Sequence, residues 1–277
     1  MVTSSSPPTG RALGLEELLS LNMIRNTFFR FLQILVLLAL WQSVRFMTDS
    51  VFFTSPAEVF KAFWQLATVG DIQGYTLQWN LWISLVRVMH GFLWGLITGI
   101  PLGIFLGLSS RAYNWLKIIV EPSRFVPPLA WVPLAIIFLS GDARYTFIIW
   151  LGTFFPVLIT TMAGVHSVER SLWEVGKSFG GTRWQLVCKI VLPSSVPHIA
   201  AGARLGLGTG WACIVAAEMI GGESVGIGRM IINYGELIRL DAVVVGMIVI
   251  GLLGYCLNEI LLLLQIYLFP WQEKIKL

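Results

Sequence analysis

Long apolar runs separated by short polar segments make up most of the chain. A helix needs about 20 apolar residues to cross the hydrocarbon core of a bilayer. Five runs meet that length: 27–47, 84–108, 145–166, 198–220 and 242–268. A sixth run, 115–139, is long enough but contains Glu121, Arg124 and four prolines. The pattern predicts an all-α integral membrane protein with six transmembrane helices, of which the third is broken by proline.

Composition agrees with this prediction and excludes other classes of protein. Of the 277 residues only 12% are charged, against about 25% in an average soluble chain, and the mean hydropathy is +0.77. In a membrane protein a net charge of +4 does not indicate a nucleic-acid partner. The three cysteines and three histidines are far apart in the sequence, so neither a metal site nor a catalytic pair is predicted. We therefore expect a protein that is not an enzyme.

The basic residues are distributed unequally between the two sides of the predicted membrane. With the N-terminus inside, eleven lie on the inner side: Arg11, Arg25, Arg30, Arg111, Lys117, Arg170, Lys177, Arg183, Lys189, Lys274 and Lys276. Four lie on the outer side: Lys61, Arg144, Arg229 and Arg239. Because cytoplasmic loops carry an excess of Lys and Arg, both termini are predicted to be cytoplasmic.

The predicted spans divide the chain into three segments. Residues 1–26 form a cytoplasmic tail with a short interfacial helix over 14–24, residues 27–268 form the transmembrane domain, and residues 269–277 form a second cytoplasmic tail. No small-residue cleavage site follows the first apolar run, so we expect that run to remain as a span. The longest predicted cytoplasmic loop is 167–197, and we call it the coupling loop.

The coupling loop has the pattern of a helix–turn–helix on the membrane surface. Gly180-Gly181 permits a tight turn, and Thr182-Arg183-Trp184-Gln185 adds a basic and aromatic segment after it. Pro193 and Pro197 are expected to end the second helix just before the fifth span. An element of this kind offers a side-chain surface to a soluble partner.

The spacing of residues in this loop resembles the EAA motif of ATP-binding-cassette importer permeases. The matching residues are Glu174, Gly180, Ile190, Leu192 and Pro193, whereas Val175 and Gly176 stand where the motif has two alanines. The resemblance implies that the loop docks into a groove of a cytoplasmic ATPase subunit. The residues it assigns to this coupling role are Glu174, Gly180, Thr182, Arg183, Trp184, Ile190, Leu192 and Pro193. A basic cytoplasmic loop with no partner is the alternative.

The resemblance covers roughly residues 84–271. The segments 125–135, 215–219 and 226–228 are similar to the nitrate/sulfonate/taurine/bicarbonate branch of these permeases, and 150–164 is similar in particular to its cyanobacterial nitrate and bicarbonate members. Gly176-Lys177-Ser178 looks like the end of a phosphate-binding loop, but Ser171 stands where the first glycine would be. ATP and Mg²⁺ are therefore expected in separate ATPase chains, and no cofactor is expected on this one.

Membership of that branch would imply a specific assembly and class of substrate. The expected partners are a second copy of the chain, two cytoplasmic ATPase subunits, an extracytoplasmic solute-binding protein and the lipid of a bacterial, in particular cyanobacterial, inner membrane. Nitrate or nitrite is the first expected substrate, bicarbonate the second, and sulfonates such as taurine the third.

Glycines recur at helical spacing in two of the spans. Span two has one every four residues, at Gly91, Gly95, Gly99, Gly103 and Gly107, and span five has Gly202, Gly206 and Gly210. Small residues at this interval line one helix face and let another helix approach closely. We expect tight packing there, and the same smooth faces would also allow helices to slide.

Six ionisable residues fall within the predicted membrane region: Arg87, Glu121, Arg124, Arg204, Glu218 and Glu259. Because charge in the membrane needs a partner or a water-lined cavity, Arg87 and Arg204 are expected to anchor or to form ion pairs. Glu218 and Glu259 are expected to pair with arginine or backbone donors.

The broken third span is the candidate anion pathway. Pro127 and Pro128 must interrupt the helix, and irregular backbone at membrane depth is tolerated where it lines a cavity or is buried in protein. A helix that restarts near Trp131 presents free N–H groups to an anion, and Arg124 adds positive charge. We predict that Arg124, Pro127, Pro128 and Trp131 border the pathway; the alternative is a bend that only serves packing against the second subunit.

Two rival classes remain open. A secondary transporter or channel that works without ATP would favour inverted repeats with ionisable groups at matching depths, and the sequence has no such pattern. A membrane component of an ATP-driven exporter is disfavoured because the Glu–Gly–Leu-Pro loop is typical of importers.

Overall fold

The computed structural model describes residues 10–47 and 53–269. The α-helices in these ranges are α1 Gly10–Met47, α2 Pro56–Thr68, α3 Leu77–Leu108, α4 Ser110–Ser123, α5 Val132–Phe138, α6 Asp142–His166, α7 Arg170–Ser178, α8 Arg183–Leu186, α9 Leu192–Ile220, α10 Ile227–Glu236 and α11 Leu240–Leu268. A 3₁₀ turn, Pro128–Trp131, precedes α5, and a π turn, Val187–Val191, joins α8 to α9. The predicted all-α class is confirmed.

The predicted spans correspond to apolar helical segments. Within the described ranges, four helical stretches are long and apolar enough to cross a membrane: Leu77–Leu108, Asp142–His166, Arg183–Ile220 and Leu240–Leu268. Shorter apolar helices, Phe31–Met47 and Pro128–Phe138, lie in the other two predicted spans.

The two predicted tails are described only in part. The helix expected over 14–24 is not a separate element, because α1 continues through it without interruption. Residues 1–9 and 270–277 lie outside the described ranges. The chain divides into compact units before and after the Lys61–Ala62 bond, and α3 to α11 belong to the second unit.

The glycine face of α3 packs directly against α6, as predicted. An ideal Cβ on Gly95 would lie 2.5 Å from Thr153 Cγ2, and one on Gly107 would lie 2.6 Å from Val165 Cβ. Gly91, Gly99 and Gly103 also lie close to α6, against Ile149, Val157 and Thr161. The opposing α6 residues also recur every four positions, so a row of glycines receives a row of larger, mainly β-branched side chains.

This pairing fixes the directions of the core helices. Residue numbers rise together along α3 and α6, so these two helices are parallel. The glycines of α9 approach α6 in the reverse order, since Gly202 faces Thr160 while Gly210 faces Ile149 and Thr153, so α9 is antiparallel to α6. Because α3 and α6 are parallel, the chain between them must return across the bundle through α4 and α5. The broken segment is therefore a crossing element, as the predicted third span requires.

The break has the predicted position. Arg124 caps the C-terminus of α4, and Pro127 has extended backbone with ψ of 135° before the 3₁₀ turn begins at Pro128. The prediction that Pro193 and Pro197 end the second helix of the coupling loop is wrong. Both prolines lie inside the continuous helical stretch Arg183–Ile220. The π turn explains this, since the Leu192 N–H bonds to the Val187 carbonyl five residues earlier and Pro193 then falls in the first turn of α9, where a missing donor is tolerated.

Candidate functional site

The first helix of the coupling loop, α7, is short and mostly exposed. Glu174 lies at its centre, and its carboxylate accepts a hydrogen bond of 3.0 Å from Arg170 Nε one turn earlier. The side chains of this pair are 92% and 65% exposed. The ion pair therefore contributes little to stability, and both charges are available to a partner.

The turn after α7 shows the structural roles of two of the predicted residues, Gly180 and Thr182. Gly180 has φ of +76°, a conformation that favours glycine, and its N–H bonds to the Lys177 carbonyl. Thr182 then caps α8: Gln185 N–H donates to Thr182 Oγ1, and Thr182 N–H donates to Gln185 Oε1. This reciprocal pair is a capping box, which sets where the second helix begins. The predicted helix–turn–helix is confirmed.

The second half of the motif anchors the loop to the membrane helices. Leu186, Val187 and Val191 are buried, and Ile190, Leu192 and Pro193 are half-buried beside them. An ideal Cβ on Gly176 would meet the side chains of Leu186 and Ile190, so α7 lies close against this anchor. Ile190, Leu192 and Pro193 thus belong to the packing of the loop, whereas Glu174, Gly180, Thr182, Arg183 and Trp184 are exposed.

Sequence reasoning missed an apolar patch on α7. Leu172 and Val175 of α7 and Phe179, which caps its C-terminus, recur at helical spacing on one face, and Phe179 is 87% exposed. Trp184, at the start of α8, is also exposed. Exposed clusters of large apolar side chains mark interaction surfaces. The signal was present in the spacing of these three residues, which we call the α7 patch.

The predicted pathway residues are distributed along the break. The Arg124 guanidinium lies over the Phe125 ring at 4.9 Å, and Arg124 and Pro127 are both exposed. Trp131 is half-buried and contacts Phe147 of α6 edge to face, with ring centroids 6.3 Å apart. Trp131 thereby joins a row of stacked α6 rings formed by Phe147, Trp150 and Phe154.

Buried charges gather at the opposite end of the bundle, far from the coupling loop. Arg87 NH1 donates to Glu218 Oε1 at 2.9 Å, and Arg87 Nε donates to Asp142 Oδ1 at 2.7 Å. Ser84 Oγ donates to the Glu218 carboxylate at 2.8 Å. We call these four residues the Arg87 cluster. It joins α3, α6 and α9, and it confirms that Arg87 and Glu218 form an ion pair.

The glycines of the 226–228 segment complete this cluster. Gly228 N–H donates to Glu218 Oε2 at 3.0 Å, and Ile227 N–H donates to Ser84 Oγ at 3.0 Å. Gly226 has φ of +139°, and an ideal Cβ there would lie 2.5 Å from Glu218 Oε1. The segment 226–228, which resembles the permease branch, therefore places its backbone directly against the buried Glu218 carboxylate.

The arrangement of side chains offers binding surfaces and ion pairs. Among the described residues, no group of three or more His, Cys, Asp and Glu side chains is placed to hold a metal ion. The crossing helices and the exposed coupling loop together define a membrane protein with a helical loop at one end of its bundle.

Comparison with known proteins identifies the class. The family described as "Binding-protein-dependent transport system inner membrane component" matches residues 99–274. A putative ABC transporter permease protein, MJ0413 of Methanocaldococcus jannaschii, is 38% identical over 71% of this chain and 74% of its own length. The taurine transport system permease protein TauC of Escherichia coli is 35% identical, over 87% and 88%. The nitrate import permease protein NrtB of Leptolyngbya laminosa is 31% identical over 91% of each chain.

The chain belongs to this family of inner membrane permease components. It is a subunit of an ATP-binding-cassette importer in the nitrate/sulfonate/taurine branch, and it is a transport subunit rather than an enzyme. A solved structure of the methionine ABC transporter MetNI in an inward-facing conformation shares the fold, with a TM-score of 0.55 and 19% identity over 66% of this chain and 93% of the other.

Proposed function

We propose that this permease carries a small oxyanion, with nitrate or nitrite as its substrate. It would act as a pair of identical chains with two cytoplasmic ATPase subunits and an extracytoplasmic solute-binding protein, in a bacterial, in particular cyanobacterial, inner membrane with both termini cytoplasmic. The observation that carries the substrate is the likeness to a nitrate import permease over 91% of both chains. The likeness to a taurine permease keeps sulfonates as an alternative, and bicarbonate is the other.

Uptake assays test the substrate. A strain that lacks its own importers for these anions would receive this chain with its partner genes, and labelled nitrate, bicarbonate and taurine would be offered in turn. We expect nitrate uptake to be restored and to be inhibited by unlabelled nitrite. Restored uptake of bicarbonate or taurine without nitrate uptake would overturn the nitrate assignment.

The coupling loop is the proposed docking surface for the ATPase. Glu174, Gly180, Thr182, Arg183 and Trp184 would meet the ATPase groove together with the α7 patch, while Ile190, Leu192 and Pro193 hold the loop to α9. ATP and Mg²⁺ would be held by the ATPase chains. The observation that supports this proposal is the exposed apolar face of a helix outside the predicted spans.

Copurification tests this surface. Phe179→Ser should sharply reduce the amount of ATPase chain recovered with the tagged permease. The matched control is Leu237→Ser, which removes an exposed apolar side chain between α10 and α11. Equal recovery of ATPase with both variants would reject the docking surface. Transport by the permease alone in liposomes, driven by an ion gradient, would favour the rival secondary transporter or channel.

The proposed anion pathway runs past the break in the third span. Arg124, Pro127, Pro128 and Trp131 would border it, with Arg124 supplying positive charge and the row of aromatic rings continuing it along α6. Arg124→Ala should lower nitrate uptake while ATPase copurification is retained. Unchanged uptake and unchanged stimulation of ATPase activity would remove Arg124 from the pathway.

A further inference from the structure

Two clefts meet beside the C-terminal end of α3. The larger, of about 750 Å³, lies between α3 and the start of the Arg183–Ile220 helix, and its lining includes Ile104, Phe105 and Val187. The smaller, of about 430 Å³, lies between α7 and α8 and is lined in part by Lys177 and Arg183. Leu108 and Arg183 line both clefts. Each cleft alone lies within the range for small-molecule sites, roughly 300–1,000 Å³, and the two together exceed it.

The chemistry of the two clefts changes along the helix axis. Pro101, Ile104, Phe105 and Leu108 line the larger cleft from α3 over about 10 Å of helix. Basic side chains, Lys177 and Arg183, stand only at the end nearer the coupling loop. An apolar groove that leads into a basic cleft thus lies at the end of a transmembrane helix, where hydrocarbon gives way to polar headgroups.

We infer that these clefts form one binding site for an anionic phospholipid. An acyl chain fits the apolar groove of α3, and the phosphate of the headgroup fits the basic cleft beside Lys177, with Arg183, which also borders the proposed ATPase docking surface, on its other side. Basic pockets beside transmembrane helices bind anionic headgroups in this way.

Charge complementarity distinguishes this occupant from others. A soluble anion would use the basic cleft but leave the apolar groove open to water, whereas a purely apolar segment of another protein would make no use of the positive potential of Lys177 and Arg183. A phospholipid satisfies both parts. Because Leu186 and Val187 line the clefts and also anchor the coupling loop, the bound lipid would tie that loop to the bilayer.

Native mass spectrometry of the purified complex tests the site. The complex would be exchanged into nanodiscs of phosphatidylglycerol or phosphatidylcholine and then released for mass measurement. We expect one phosphatidylglycerol retained per permease chain and no comparable retention of phosphatidylcholine. Lys177→Gln should lower phosphatidylglycerol retention about fivefold, the factor that one basic residue contributes near an anionic surface. Ile104→Trp, which fills the groove, should also lower it.

The control is Lys189→Gln, since Lys189 is a basic residue of the same loop that is exposed and lines neither cleft. It should retain the lipid as the unsubstituted chain does. Size-exclusion profiles identify any variant that fails to fold, and Lys177, being exposed, keeps the test usable if Ile104→Trp fails. Equal retention of both lipids, or equal loss with Lys189→Gln, would overturn the site. So would displacement of the lipid by glycerol phosphate alone, or cross-linking of Ile104→Cys to a second protein chain.

Discussion

At one end of α3 the Arg87–Glu218 pair of the Arg87 cluster is buried and hydrogen-bonded, whereas near the other end the charged side chains of the coupling loop are exposed. Arg87 and Glu218 are 6% and 1% exposed, against 92% and 65% for Arg170 and Glu174. Both are arginine–glutamate pairs with nearly equal bond lengths, 2.9 and 3.0 Å.

The comparison teaches that burial decides what an ion pair does in this protein. Removing one partner of a buried pair leaves an uncompensated charge, which costs about 3–5 kcal/mol. Removing one partner of an exposed pair costs almost nothing, because water replaces it. We therefore expect the Arg87 cluster to control stability and the coupling loop to control association.

The largest effect should come from Glu218→Ala. This change leaves the exposed Asp142 carboxylate and the Val225 carbonyl as the hydrogen-bond acceptors of buried Arg87, and it also removes the acceptor of Ser84 and Gly228. We expect a loss of about 3–5 kcal/mol in the free energy of unfolding, measured by thermal denaturation in detergent. Glu236→Ala, at an exposed position, is the control. A Tm equal to that of the control would mean that the cluster does not stabilise the fold.

Gly226→Ala should have the next largest effect. The backbone there has φ of +139°, and the added Cβ would collide with the Glu218 carboxylate, so we expect a loss of about 1–3 kcal/mol. The matched change is Gly251→Ala in α11, where an added Cβ has open space. If both variants unfold at the same temperature, the close approach of this glycine is not required.

Asp142→Asn should have a smaller effect than either. Asp142 bonds to the same arginine as Glu218 but is 68% exposed, so water can replace much of its interaction. We expect a loss of about 1 kcal/mol. Comparing its unfolding curve with that of Glu218→Gln separates the effect of burial from that of charge. A loss as large as that of Glu218→Gln would contradict the argument from exposure.

Arg170→Gln should have the smallest effect on stability. The pair with Glu174 is exposed, and exposed pairs one helical turn apart contribute about 0.3–0.5 kcal/mol. The unfolding midpoint should stay within experimental error of that of the unsubstituted chain. A shift as large as that of Asp142→Asn would show that α7 depends on this pair.

Regular periodicity made much of the fold predictable. The apolar runs gave the helices, and the four-residue glycine spacing of α3 gave the close helix contact, because both depend on neighbours within a few turns. The EAA-like spacing located the coupling loop, in which Gly180 and Thr182 have local backbone roles that a short sequence window contains.

Long-range and backbone effects were not predictable from the sequence. Arg87 and Glu218 are separated by 131 residues, so the sequence showed only that each needed a partner. The path of the chain through Pro193 and Pro197 depends on a π turn, which shifts the hydrogen-bond register without a distinctive composition. The α7 patch has a visible spacing, but its exposure depends on how the loop folds over Leu186 and Ile190.

The row of glycines on α3 has a mechanical consequence. Each glycine accepts one α6 side chain, and both rows repeat every four residues. A slip of one residue would therefore bring Cβ atoms into the α6 ridge, and the next matching position lies about 6 Å away along the axis. We therefore expect α3 and α6 to move together during transport and not to slide along each other, contrary to the sliding that the glycine spacing alone would allow.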